Sequence, residues 1–143
     1  MKSDELYFRN FINFGKISSM EELRFVPTKN TPEIILNPDG KIRIRGRSIH
    51  ENAAAFFEPV EKWISEYVSS PANVTSVDLV LEYFNSASTK IFISILQKIT
   101  HVTLKHKKYV INWYYEDGDE DILERGEYFS SVLDVPVNFI KMR

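Results

Sequence analysis

The chain has 143 residues, 43% hydrophobic and 27% charged, which is the composition of one folded domain and not of a disordered tail. Lys plus Arg number 18 against 20 Asp plus Glu, a formal net charge of -2, and this balance argues against the basic stripe of a nucleic-acid binder. The absence of cysteine excludes disulfides, thiolate nucleophiles and cysteine-based zinc sites.

The N-terminus, MKSDELYFRN, carries acids where a signal peptide needs an apolar run. No stretch reaches the roughly 18 apolar residues of a membrane span. The expectation is a cytoplasmic protein with no membrane insertion. Residues 1–20 form an extension rich in aromatics, with Leu6, Tyr7, Phe11 and Phe14 near helical spacing. They read as a short helix docked on a single domain spanning 21–143, with a free partner-binding arm as the alternative.

Glu33 to Leu36 and Lys41 to Arg45 read as strands joined by Asn37-Pro38-Asp39-Gly40. In that turn Pro restricts φ, Asp bonds its own backbone, and Gly accepts a positive φ. A helix follows from about Asn52 to Ser69, with Phe56, Val60, Trp63, Ile64 and Tyr67 on one stripe. Pro59 inside it predicts a kink or a restart. Val77 to Phe84 is a strand with Val77, Leu79, Leu81 and Tyr83 on one face and Asp78, Val80, Glu82 and Phe84 on the other. Next come a helix from Ser88 to His101, a strand from Tyr109 to Tyr115, a helix from Asp119 to Val132 and a strand from Val137 to Lys141.

The order β-β-α-β-α-β-α-β implies parallel strands with right-handed crossovers and one antiparallel hairpin. Asp78, Glu82 and Asn112 interrupt the apolar pattern on one side of their strands. A sheet sandwiched between helices would show continuous apolar runs. The expected fold is therefore a five-stranded mixed sheet, order 1-2-3-4-5, with three helices on one face.

Three segments could carry function. Asn85-Ser86-Ala87-Ser88-Thr89-Lys90 gathers three hydroxyls at a helix N-terminus, where free N–H groups favour anions. One reading makes Ser88 or Ser86 an N-cap. The other makes one hydroxyl, Ser86 or alternatively Ser88, a phosphorylation site. The second segment, Glu116 to Asp121, would lie beside the first in a parallel sheet. It reads as a solvated loop with Asp119 as a cap, as a divalent-cation site, or as a counterweight to a phosphate on Ser86. It lacks the glutamate that completes a calcium loop. The third, Gly46 to Asn52, leads into the first helix and reads as capping. His50, His101 and His106 show no metal spacing, and no nucleophile elbow, P-loop or dinucleotide fingerprint is present. No cofactor and no catalytic residue is expected.

TPEIIL at 31–36, GRSIHENA at 46–53, FFEPVEKWISEY at 56–67, LEYFNSASTK at 81–90 and WYYEDGDEDILERGEYF at 113–129 together resemble the SiaC-like family of small bacterial regulatory phosphoproteins. The resemblance covers residues 23–141. It implies a STAS-like fold and a non-enzymatic protein switched by a dedicated kinase and a metal-dependent phosphatase. It also implies control of a diguanylate cyclase, and so of cyclic-di-GMP signalling and biofilm behaviour. The family's phosphorylated threonine, directly after the Asn of its asparagine-threonine-serine-serine loop, falls on Ser86, and its lysine falls on Lys90. The sequence departs from the family pattern at Ser86, at Ala87 (a serine in the family) and at His50 (usually proline), and residues 1–20 have no counterpart.

The expected partner surface comprises Asn85, Ser86, Ser88 and Lys90 with Ser48, Glu51 and Asn52. The leading expectation is an adaptor switched by phosphorylation of Ser86. The alternatives are a metal-assisted phosphotransferase or hydrolase using the acidic loop, and a constitutive scaffold in which Ser86 only caps a helix.

Overall fold

A computed structural model describes residues 20–143; the docked helix expected within residues 1–20 lies outside the described residues. The elements run β1 Leu23–Phe25, β2 Glu33–Leu36, β3 Lys41–Ser48, α1 Ala53–Tyr67, β4 Val74–Phe84, α2 Ser86–Ile99, a 3-10 segment Thr100–Lys105, β5 Lys108–Glu116, α3 Glu120–Leu133 and β6 Asn138–Met142. The sheet has six strands in the order β1-β2-β3-β4-β5-β6, not five. The extra strand is the three-residue β1, antiparallel to β2 at the edge. Three residues are too few for an alternating pattern to stand out, so its pairing depends on the neighbouring strand.

The β2–β3 hairpin forms as its turn chemistry dictates. Asn37 Oδ1 accepts from Asp39 N at 2.9 Å, and Asp39 Oδ1 accepts from Lys41 N at 3.0 Å. Gly40 has φ +104°, and a Cβ there would collide with the Val74 carbonyl oxygen, so both the turn and the arrival of β4 require glycine.

From β3 onward the strands are parallel, and each crossover through a helix moves one place in the same direction. Right-handed crossovers then place all three helices on one face. The burial pattern agrees. Phe25, Ile34, Ile44, Leu79, Trp113 and Phe139 pair in one row across all six strands. Ile34, Ile44, Leu79 and Trp113 in that row are fully buried. The opposite face carries Arg43, Asp78 and Asn112, with Asn112 Nδ2 donating to Asp78 Oδ1 at 2.9 Å.

Of the kink or restart expected at Pro59, the restart does not occur: helix α1 is continuous through it. Ala55 and Pro59 are both exposed, so the carbonyl that loses its partner faces water. Helix α2 ends at Ile99, short of the expected His101, and tightens into the 3-10 segment.

The largest correction is at the end of β4. The β3–β4 register runs Gly46↔Leu81 and then Arg47↔Tyr83, so Glu82 is an extra residue in a bulge. The alternation is rephased beyond it. Tyr83, expected inward, is exposed; Phe84, expected outward, is fully buried. Gly46, at φ +115°, sits opposite the bulge. Phe84 becomes the centre of the aromatic core, 5.5 Å from Phe92 of α2, 6.1 Å from Trp113 of β5 and 5.8 Å from Phe129 of α3. Edge-to-face packing of this kind adds to the burial term.

Candidate functional site

The carboxyl edge of the sheet brings together the β3–α1, β4–α2 and β5–α3 junctions. At β4–α2 a single residue, Asn85, links strand and helix. It is the N-cap: its extended backbone (φ -90°, ψ 177°) precedes the helix, and its Oδ1 accepts from Ser88 N at 2.9 Å. Ser88 is therefore not the N-cap expected from the sequence. It lies in the first turn and is completely buried. Ser88 Oγ donates to the Ser48 carbonyl at 2.9 Å and lies 2.7 Å from Ser48 Oγ. A hydroxyl has one proton, so Ser48 Oγ is the donor in the second bond. The Ser48 carbonyl also accepts from Asn85 N at 3.1 Å. Thr89 Oγ1 donates to the Asn85 carbonyl at 3.1 Å.

Two of the three hydroxyls are thus engaged, Ser88 with Ser48 of β3 and Thr89 with Asn85. Ser86 is different. It is the first residue of α2, it is exposed, and its hydroxyl makes no hydrogen bond among the described residues. It sits in the first helical turn. Lys90 is exposed one turn further on, on the same face.

At the β3–α1 junction Asn52 caps α1, its Oδ1 accepting from Ala55 N at 3.2 Å. His50 Nδ1 accepts from Asn52 N at 2.8 Å, and the imidazole stacks on Phe56 at 5.8 Å. Glu51 and Asn52 face solvent. Of the seven residues expected to meet a partner, Ser48 and Ser88 lie within the buried joint that binds β3 to α2, whereas Ser86, Lys90, Glu51 and Asn52 are exposed and Asn85 is half-buried.

The acidic loop follows β5, on the same edge, because β4 and β5 are parallel neighbours. Its acids have local roles. Asp119 Oδ1 caps α3 through Ile122 N at 3.1 Å. Asp117 lies 3.8 Å from Lys141 Nζ, and Asp121 lies 3.8 Å from Arg125 Nε. Glu120 and Asp121 occupy the first turn of α3, where the helix dipole favours negative charge. Among the described residues, no three His, Cys, Asp or Glu side chains are grouped to hold a metal ion.

Between α2 and α3 lies an open groove of about 340 Å³, lined by Thr89 on one side and by Asp121, Glu124, Arg125 and Tyr128 on the other, with Phe84 below. Arg125 spans it. Its Nη1 donates to the Phe84 carbonyl at 2.7 Å, and its guanidinium lies 4.2 Å from the Phe84 ring and 5.7 Å from that of Tyr83. Sequence reasoning missed Arg125, Tyr83, Tyr128 and the Ser48–Ser88 pair. For Tyr83 the available signal was Gly46, which falls inside the strand Lys41–Ser48 and not after it, because an interior strand glycine marks a bulge.

A six-stranded mixed sheet with three helices packed on one face defines a small α/β domain. The particular family follows from the sequence itself: residues 25–142 match the SiaC family of regulatory phosphoproteins, and the chain belongs to that family. It is 25% identical over 118 residues to the uncharacterized protein PA14_02130 of Pseudomonas aeruginosa (strain UCBPP-PA14), covering 82% of this chain and 94% of that protein. Apo-SiaC from Pseudomonas aeruginosa shares the fold, with a TM-score of 0.74 at 24% identity over 87% of this chain and all of that one. A chain in the crystal structure of diguanylate cyclase SiaD in complex with its activator SiaC, from the same organism, superposes with a TM-score of 0.72 at 25% identity. That match covers 83% of this chain and 97% of the other. No helix among the described residues is long and apolar enough to cross a membrane.

Proposed function

We propose that this protein is a non-enzymatic adaptor that binds a diguanylate cyclase and is switched by phosphorylation of Ser86. A protein kinase would add the phosphate, and a metal-dependent phosphatase would remove it. The observation that carries the choice of residue is the division of labour among the three hydroxyls. Ser88 is buried and bonded to Ser48, Thr89 is bonded to Asn85, and Ser86 alone of the three is exposed with its hydroxyl unengaged among the described residues. The cyclase is proposed from the relative whose structure was solved as an activator bound to SiaD.

A phosphoryl group on Ser86 gains about 0.3–1 kcal/mol from the helix N-terminus. Acids of α3 within a Debye length, about 8–10 Å, would oppose it by a comparable amount. The effect is therefore local: a more negative, more hydrated surface that a partner must desolvate before docking. Calorimetry of the unmodified, phosphorylated and Ser86→Ala proteins against a diguanylate cyclase tests this. The unmodified and Ala forms should bind alike and the phosphorylated form should differ. Equal affinity of all three would leave Ser86 as part of a helix start and nothing more. Peptide mass analysis of protein from its native host should place the phosphate on Ser86; phosphate on Ser88 would overturn the assignment.

A further inference from the structure

We infer that Arg125 is the internal receptor for a phosphate on Ser86: a guanidinium on α3 held at the start of α2 that closes on the phosphoserine and rearranges the groove between the two helices. This inference rests on Ser86 being the modified residue.

Position comes first. Arg125 Nη1 is hydrogen-bonded to the carbonyl of Phe84, only two residues before Ser86. Two residues span at most about 7 Å, and a phosphoserine side chain reaches out several ångströms from its own Cα. Direction comes second. Thr89 lines the α2–α3 groove opposite Arg125, and Ser86 lies one turn earlier on α2 at i−3, on the same side of the helix.

Availability comes third. A guanidinium has five N–H donors in a planar fork. Arg125 uses one in the bond to Phe84, and its contact with Asp121 is long, at 3.8 Å, to a carboxylate that is 73% exposed. The Arg125 side chain is itself 31% exposed, and its guanidinium carbon lies over the Phe84 ring, 4.2 Å from its centre. A dianionic phosphate accepting two parallel N–H bonds competes well with one loosely held carboxylate. Asp121 and Glu124 also line the groove and oppose the phosphate, whereas Lys90, at i+4 from Ser86, favours it. Capture of the phosphate would draw Arg125 from between Tyr83 and Asp121. The exposed Tyr83 and Tyr128, which flank it, would then present a different surface to a partner.

The test is a phosphorus NMR titration of protein carrying phosphoserine at position 86, installed during translation so that no kinase is needed. A free phosphoserine has its second ionisation near pH ~6. In the native protein the midpoint should lie below that. Arg125→Gln should raise it by on the order of 1 unit, the scale of an opposite charge removed from close range. Lys90→Gln should raise it by clearly less. An unchanged midpoint in Arg125→Gln overturns the inference.

Should that variant fail to fold, the native protein still decides. The guanidinium nitrogen resonances of Arg125 should shift and their rotation slow on phosphorylation, and no change there also overturns it. The two readings fail separately. A midpoint indifferent to Arg125 with a phosphate-dependent cyclase affinity removes only the receptor. An Arg125-dependent midpoint with unaltered cyclase affinity supports the receptor and removes the adaptor switch.

Discussion

The β3–α1 and β4–α2 junctions both run from strand through an asparagine cap into a helix, yet they are held very differently. The first spends four residues, Ile49 to Asn52, on the connection. Its cap bond is 3.2 Å long and exposed, and its support is the imidazole of His50 lying on a half-buried Phe56. The second spends one residue. Asn85 is gripped through its N–H by Ser48, through its Oδ1 by Ser88 N and through its carbonyl by Thr89, and directly beneath it are Phe84 and the buried Ser48–Ser88 pair. The short junction has no slack. Ser86 therefore follows a cap that is bonded on every side. The longer junction is fixed at its start by Ile49 N, which donates to the Asn30 carbonyl at 2.9 Å, and leaves Glu51 and Asn52 exposed.

Substitutions can break this contrast, and the largest effect should come from its deepest residue. Phe84→Ala removes the ring that joins α2, β5 and α3 and should cost about 3–5 kcal/mol in urea unfolding. His50→Ala, the corresponding support at the other junction, should cost less than about 1 kcal/mol. Equal losses would mean that the two junctions are not differently anchored.

Ser88→Ala comes next. It leaves the Ser48 hydroxyl buried without its partner and should cost about 1–3 kcal/mol. The double variant Ser48→Ala, Ser88→Ala should cost less than the sum of the singles, since each already removes the shared bond. Strict additivity would show that the two hydroxyls do not interact.

Smaller again are the caps. Asn85→Ala should lose about 1–2 kcal/mol and Asn52→Ala about 0.5 kcal/mol, the difference following from solvent access to the freed N–H groups. Thermal unfolding of the pair resolves this, and the reverse ranking would contradict the contrast.

The smallest effect on stability should be that of Ser86→Ala, within about 0.5 kcal/mol of the native protein. The same change should abolish any effect of phosphorylation on cyclase affinity, and Ser86→Asp should imitate phosphate only partly, because it carries less charge and fewer acceptor oxygens.

The one-faced sheet was readable in the sequence because Asp78, Glu82 and Asn112 break the apolar pattern that a second helical layer would require. The hairpin was readable because Asn37 to Gly40 contains its own turn chemistry. Asp119 was readable as a cap, since a cap bond reaches only three residues along the chain. The cap of α2 was not readable: the sequence offers Ser88 or Ser86, but Asn85 holds that role, and Ser88 is removed from solvent by its bonds to Ser48.

What the sequence by itself determined were features within a few residues' reach: the alternation of strands and helices, the turn at 37–40, and the gathering of hydroxyls after Asn85. What only the tertiary structure decided were the β4 bulge that turns Phe84 inward, the Ser48–Ser88 bond across 40 residues and the Arg125–Phe84 bond across 41. The physical reason is range. Periodicity and capping are interactions of neighbours along the chain. A bulge or a buried hydroxyl pair exists only once two strands have taken a register, and nothing in either segment alone specifies which partner it will meet.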